Sequence, residues 1–182
     1  MILKVARMGN PILRQEAEPI PPEQITDPEI QDFIDDMIET MYEYDGAGLA
    51  APQVHVSMQI VMMEVSQHPR YPDDPAIPLA VYINPEITPL TEEMAEDWEG
   101  CLSVPGLRGR VPRYTKIQLR AYDREGQRVE FIAEGFHARV IQHECDHLWG
   151  KLYIDRVQDT TSLTFMEEFR KYGLPEDVLI PD

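Results

Sequence analysis

The chain has 182 residues, 43% of them hydrophobic and 27% charged, the composition of a folded soluble protein large enough for one sizeable core. A net charge of −17 argues against a surface built for nucleic acid, because polyphosphate would be repelled. No apolar run approaches the roughly 20 residues of a membrane span. The first fifteen residues carry neither a signal-peptide core nor a transit-peptide pattern, so a cytoplasmic location is expected.

In chain order, the first clear element is an amphipathic helix over residues 27–44. Ile30, Phe33, Ile34, Met37, Ile38 and Met41 recur at helical spacing, Thr26 or Asp27 can cap it, and Pro28 suits its first turn. A loop of small residues follows over 45–53. Residues 59–65 read as a strand rich in Val, Ile and Met. Residues 66–80 form a Pro-rich connection in which Pro69, Pro72, Pro75 and Pro78 recur every third residue, the period of polyproline II. A stiff surface loop is the expected form.

The next strand is predicted over 80–87, with Pro85 pointing to a sheet edge or an early end. Residues 116–123 and 127–133 make the clearest hairpin, turning at Arg124-Glu125-Gly126. A helix over 136–149 is closed by Gly150. A last helix is expected over 162–172, closed by Gly173 and Pro175, with Leu163, Phe165, Met166 and Phe169 packing it on the core. The predicted fold is a single α+β domain spanning 1–182, with antiparallel β-sheets packed around the 136–149 helix.

That helix carries the chemistry. Gln142-His143-Glu144-Cys145-Asp146-His147 contains H-E-x-x-H. Residues four apart share one helix face, so both imidazoles can bind one metal ion. Glu144 lies about 100° around from His143 and can act as a base without being a ligand. Cys145 lies about 200° around and reads as a small buried hydrophobe. The flanking Ala138, Val140, Ile141 and Leu148 suggest a helix running through a core. A catalytic metal usually takes three protein ligands and keeps one position open. The residue six beyond His147 is Tyr153, which excludes a third histidine there. Glu167 or Glu168 on a later helix, and Cys101, both remain as candidates.

Three motifs in this order resemble those of the peptide deformylases. They are Gly46-Ala47-Gly48-Leu49-Ala50-Ala51-Pro52-Gln53, then Glu99-Gly100-Cys101-Leu102-Ser103, then Gln142 to His147, with Asn10-Pro11-Ile12-Leu13-Arg14 ahead of them. The resemblance covers about residues 5–157. It implies that Cys101, His143 and His147 bind one divalent ion, Fe²⁺ foremost, with Zn²⁺, Ni²⁺ or Co²⁺ able to substitute. It implies that Glu144 is the general acid/base, that Gln53 and the backbone N–H of Leu102 stabilise the oxyanion, and that N-formylmethionyl nascent peptides are the substrate. Gly46 and Gly48 would approach the peptide backbone, with Leu102 and Val140 lining the methionine pocket. Glu99 and Arg108 resemble an ion pair bracing the cysteine loop. The C-terminal helix would associate weakly with the ribosome, through Arg170 and Lys171. His137 departs from the family's usual aliphatic residue. Two other classes stay open: a peptidase using Glu167 as third ligand, and a metal- or peptide-binding module without catalysis.

Overall fold

A computed structural model describes residues 1–66, 73 and 75–173. Helix α1 spans Pro28–Glu43 and buries Ile34, Met37, Thr40 and Met41, the stripe its apolar spacing demands. Strand β1, Gly48–Ala50, follows at once. The segment expected as loop is thus partly strand. From Gly48 onward its residues are buried, which composition alone did not signal.

Strands β2 (Ile60–Val65) and β3 (Ile77–Pro89) continue an antiparallel sheet. Pro69 and Pro72 of the proline repeat lie outside the described residues, while Pro78 already belongs to β3. Pro85 marks neither an edge nor an end. Strand β3 is the middle of a five-stranded sheet that has β1 at one edge and β2 next to it. The register shifts between Ile83 and Glu86, with Asn84 at φ 50°, so Pro85 falls in a bulge that needs no ladder donor from it. The Asn84 side chain uses the bulge to bond both N–H and C=O of Ile20, at 2.9 and 2.7 Å.

Strands β4 (Met94–Cys101) and β5 (Val104–Tyr114) form a long hairpin with no counterpart among the expected elements. The expected hairpin is present as β6 (Lys116–Tyr122) and β7 (Arg128–Glu134), and Gly126 takes the positive φ of 78° at its turn. Helix α2, Gly135–Leu148, then runs through the centre. From Ala138 to its end every residue is buried, against β1, β2 and β7 of one sheet and β5 of the other. Gly150 ends it at φ 67°, and a Cβ there would lie 2.7 Å from the Arg14 carbonyl, so the chain crossing needs glycine. Arg14 ends Pro11–Arg14, a turn of 3₁₀ helix capped by Asn10, and pairs with Asp155.

The last helix is shorter than expected. Thr164–Phe165 form β8, which pairs with β5 at Leu107 and Arg108 and makes the second sheet β4-β5-β8. The helical turns run only from Met166 to Gly173. Edge pairing captures the segment before it can coil. Phe169 is buried against Trp98, with ring centroids 4.9 Å apart and planes at 80°, but Phe165 is exposed rather than packed. The expected stop at Pro175 lies outside the described residues.

Candidate metal centre

The tip of the β4–β5 hairpin meets the middle of α2. A register shift between Glu99 and Cys101 re-aims the Cys101 side chain inward. Its Sγ and one ring nitrogen each from His143 and His147 all lie within 4.8 Å of one another, and all three residues are buried. Cys101 Sγ is 3.4 Å from His147 Nε2. Two ligands of one tetrahedral ion, with bonds of ~2.3 and ~2.0 Å, stand about 3.5 Å apart. His147 Nδ1 and Glu144 Oε2 are buried without a hydrogen-bond partner among the described residues. A soft thiolate and two imidazoles around one point, with an unpartnered Glu144 oxygen beside them, fit a divalent metal ion, so Cys101, His143 and His147 make a metal-binding site.

Electrostatics support the donor set. Burial alone would push the Cys101 thiol up, but the His147 charge and hydrogen bonds from both imidazoles bring it down to about 5. That direction favours the thiolate, the form that ligates. Cys145 is fully buried in the main core and burial pushes its thiol well up, as a packing residue requires. Burial likewise pushes the Glu144 carboxyl up to about 7.

Glu99 orients the site from behind. Its Oε1 accepts from His143 Nδ1 at 2.7 Å, which turns Nε2 of that ring toward the centre. Its other partners are Arg113, bidentate at 2.8 and 2.9 Å, and Arg139 at 2.6 Å. Burial opposes ionisation of Glu99, yet the Arg113 charge and hydrogen bonds, aided by His143, hold its carboxyl well below the usual range. The arginines that pair with Glu99 are thus Arg113 and Arg139, in place of the expected Arg108. The Arg108 guanidinium lies over Gly100, where a Cβ would overlap it. Asp146 completes the frame by accepting from Arg113 and Arg156. Arg113, Arg139 and Asp146 had no signal in sequence beyond their closeness to the motifs.

Gln53 sits opposite. Its Oε1 accepts from the N–H of Ala50 at 2.9 Å, so its Nε2 must face the centre, 3.4 Å from Cys101 Sγ and 3.2 Å from Ser103 Oγ. A pocket opens over the centre, lined by Gly48, Gln53, Trp98, Leu102, Phe136, Val140, His143 and Glu144 among others. Trp98 and Phe136 were not anticipated. Gly46 is not on the wall; it lies under Leu102, where a Cβ would stand 3.1 Å from Cδ1. Gly48 is on the wall, and the space of its missing Cβ is taken by the Glu144 carboxylate. Glu167 and Glu168, the alternative ligands, are exposed and outside the cluster.

Comparison with known proteins agrees with this geometry. The family model described as polypeptide deformylase matches residues 2–162. Peptide deformylase 1 of Bordetella pertussis is 52% identical over 167 residues, covering 92% of this chain and 94% of that protein. Peptide deformylase 1 of Nitrosomonas europaea is 49% identical over 181 residues, covering 100% and 96%. Among solved structures, a class I type b peptide deformylase from Acinetobacter baumannii with Met-Ala-Ser bound is 39% identical with a TM-score of 0.81, covering 86% of this chain and 99% of its own. The enzyme from Thermotoga maritima gives 38% and 0.77, covering 87% and 99%. With its ligand set, buried glutamate and antiparallel frame in place, this chain belongs to the bacterial-type polypeptide deformylase family.

Proposed function

We infer that the protein is a metal-dependent hydrolase that removes the formyl group from N-formylmethionyl peptides, releasing formate. The observation that carries this reading is the Glu144 carboxylate, buried beside a Cys-His-His ligand set and facing a pocket walled by Val140, Phe136 and Trp98. A purely structural metal site has no use for such a carboxylate.

When bound, the metal supplies Lewis acidity that brings a water proton within reach of a carboxylate near neutral pH. Glu144 takes that proton as the water oxygen bonds to the formyl carbon. It then gives the proton to the peptide nitrogen as the C–N bond breaks, so formate and a free amine result. Negative charge gathers on the formyl oxygen at this step. Gln53 Nε2, locked by the Ala50 bond, and the Leu102 backbone N–H are the donors assigned to it. β1 lies at the edge of its sheet, and its Gly48 backbone offers peptide groups to an extended chain. Val140 and Leu102 flank the methionine side chain.

Fe²⁺ is the working ion in this reading. Thiolate with imidazole also suits Zn²⁺, Ni²⁺ and Co²⁺. The enzyme is placed in the cytoplasm, where formylated chains are made, and residues 1–182 act as one catalytic domain. Weak ribosome association through exposed Arg170 and Lys171 belongs to the same proposal. Reduced co-sedimentation with ribosomes on reversing both charges supports that contact; unchanged co-sedimentation removes it.

The test of the activity is formate release from formyl-Met-Ala-Ser by Fe²⁺ protein handled without oxygen, beside Glu144→Ala. Release by the wild type alone is expected. No release from metal-replete wild type would overturn the reading.

A further inference from the structure

A second cavity adjoins the catalytic pocket. It is lined by Lys4, Val5, Ala6, Arg7, Asn10, Tyr44, His55, Leu102 and Pro105, and it shares only Leu102 with the first. Leu102 is therefore the partition between the two. The N-terminal arm forms the far wall and is pinned to the site itself. Ala6 N–H donates to the Gln53 carbonyl and Met8 N–H to the Ser103 carbonyl, each at 2.7 Å. This holds Lys4 and Arg7 on the exposed face of the groove.

Its charge is anomalous for this molecule. The chain carries 33 acidic against 16 basic side chains, yet no carboxylate lines the groove among the described residues. Arg14, Arg113, Lys116, Arg124, Arg139 and Arg156 each meet a carboxylate. Lys4 and Arg7 meet none among the described residues. Donors stand beside them: Asn10 Nδ2 lies 3.4 Å from His55 Nδ1, and the Tyr44 hydroxyl borders the same space.

We propose that this groove is a subsite for an acidic side chain on the residue that follows the formylated methionine, with Lys4 and Arg7 as its charge partners. The proposal rests on the deformylase reading and adds a substrate preference to it. Side chains of an extended peptide alternate between two faces. When the methionine enters the first pocket, the next side chain points the other way, across the Leu102 partition. An acidic residue there meets two unmatched cations; a lysine meets repulsion.

The experiment compares kcat/KM for formyl-Met-Asp-Ser and formyl-Met-Lys-Ser, each relative to formyl-Met-Ala-Ser, in the wild type and in Lys4→Glu/Arg7→Glu. Binding of the products Met-Asp-Ser and Met-Lys-Ser is measured calorimetrically in parallel, so the preference is read even without turnover. The wild type should favour Asp over Lys by about fivefold at low salt, mainly through KM, and less at high salt. The double variant should invert the order. Equal ratios in both proteins would overturn the subsite. So would unchanged ratios with loss of ribosome co-sedimentation in the variant, which would assign the cations to RNA phosphate. Absence of turnover on all three substrates, with the binding preference intact, would count against the deformylase reading and leave the groove standing.

Discussion

Glu99 Oε1 and His143 Nδ1 are 2.7 Å apart, and this contact couples the metal centre to a buried arginine frame. The carboxylate fixes the ring and strengthens it as a donor. Replacing Glu99 by Gln weakens the orienting bond and leaves Arg113 and Arg139 short of an anion. Metal affinity should fall by about 10- to 100-fold. Competition for Zn²⁺ against a chromophoric chelator measures it, and an unchanged affinity would mean that the ring is held by packing alone.

Gly48 is required by Glu144 rather than by turn geometry. A methyl group there would displace the carboxylate that moves the proton. Gly48→Ala should lower kcat/KM on formyl-Met-Ala-Ser by about 100-fold, the scale of a displacement near 1 Å. Metal content should stay at the wild-type level. Full activity would show that Glu144 has another productive position.

Gly150 tests the frame instead of the chemistry. Its φ of 67° disfavours any side chain, and an alanine methyl would sit 2.7 Å from the Arg14 carbonyl. Gly150→Ala should destabilise by about 2–4 kcal/mol, as positive φ and backbone overlap add. Urea denaturation of both proteins gives the difference.

His137 makes a pH-dependent contribution. Its ring stacks on Phe131 with centroids 5.6 Å apart, and Nε2 has no hydrogen-bond partner among the described residues. Burial lowers its pKa. The unfolded chain therefore binds a proton at an ordinary histidine value of about 6.5 while the folded state still resists it. More protons are bound by the unfolded state in that window, so stability is lost as pH falls through it. His137→Leu removes the effect. Its stability advantage over the wild type should grow as pH drops from about 7.5 to 5, read from urea midpoints; a constant difference would contradict a half-buried ring held neutral.

Much of this was legible in the sequence because it rests on local patterns. Helical spacing gives α1 and α2, the Gly126 turn gives β6 and β7, and the three motifs name the ligands. The β4–β5 hairpin was not legible. Its Trp98-Glu99-Gly100 and Arg108-Gly109-Arg110 stretches lack strict alternation, because charged side chains such as Glu99 and Arg113 point inward to each other. Such pairing exists only after folding brings the hairpin to α2. Pro85 misled for a similar reason: a bulge fastened by Asn84 to Ile20 lets a proline sit in a central strand. At the C-terminus, pairing of Thr164 and Phe165 with β5 overrode helical propensity.

The ligand set is also a statement about order of synthesis. Cys101 and His147 lie 46 residues apart, one on a hairpin and the other on the helix beneath it. A growing chain therefore displays its thiol before either imidazole has been translated. During that interval no ion protects the sulfur, and it is open to reversible sulfenic acid and then to the sulfinic acid that would end its use as a ligand. A protein whose substrates are themselves unfinished chains depends, for its own centre, on finishing α2 before oxidant finds Cys101.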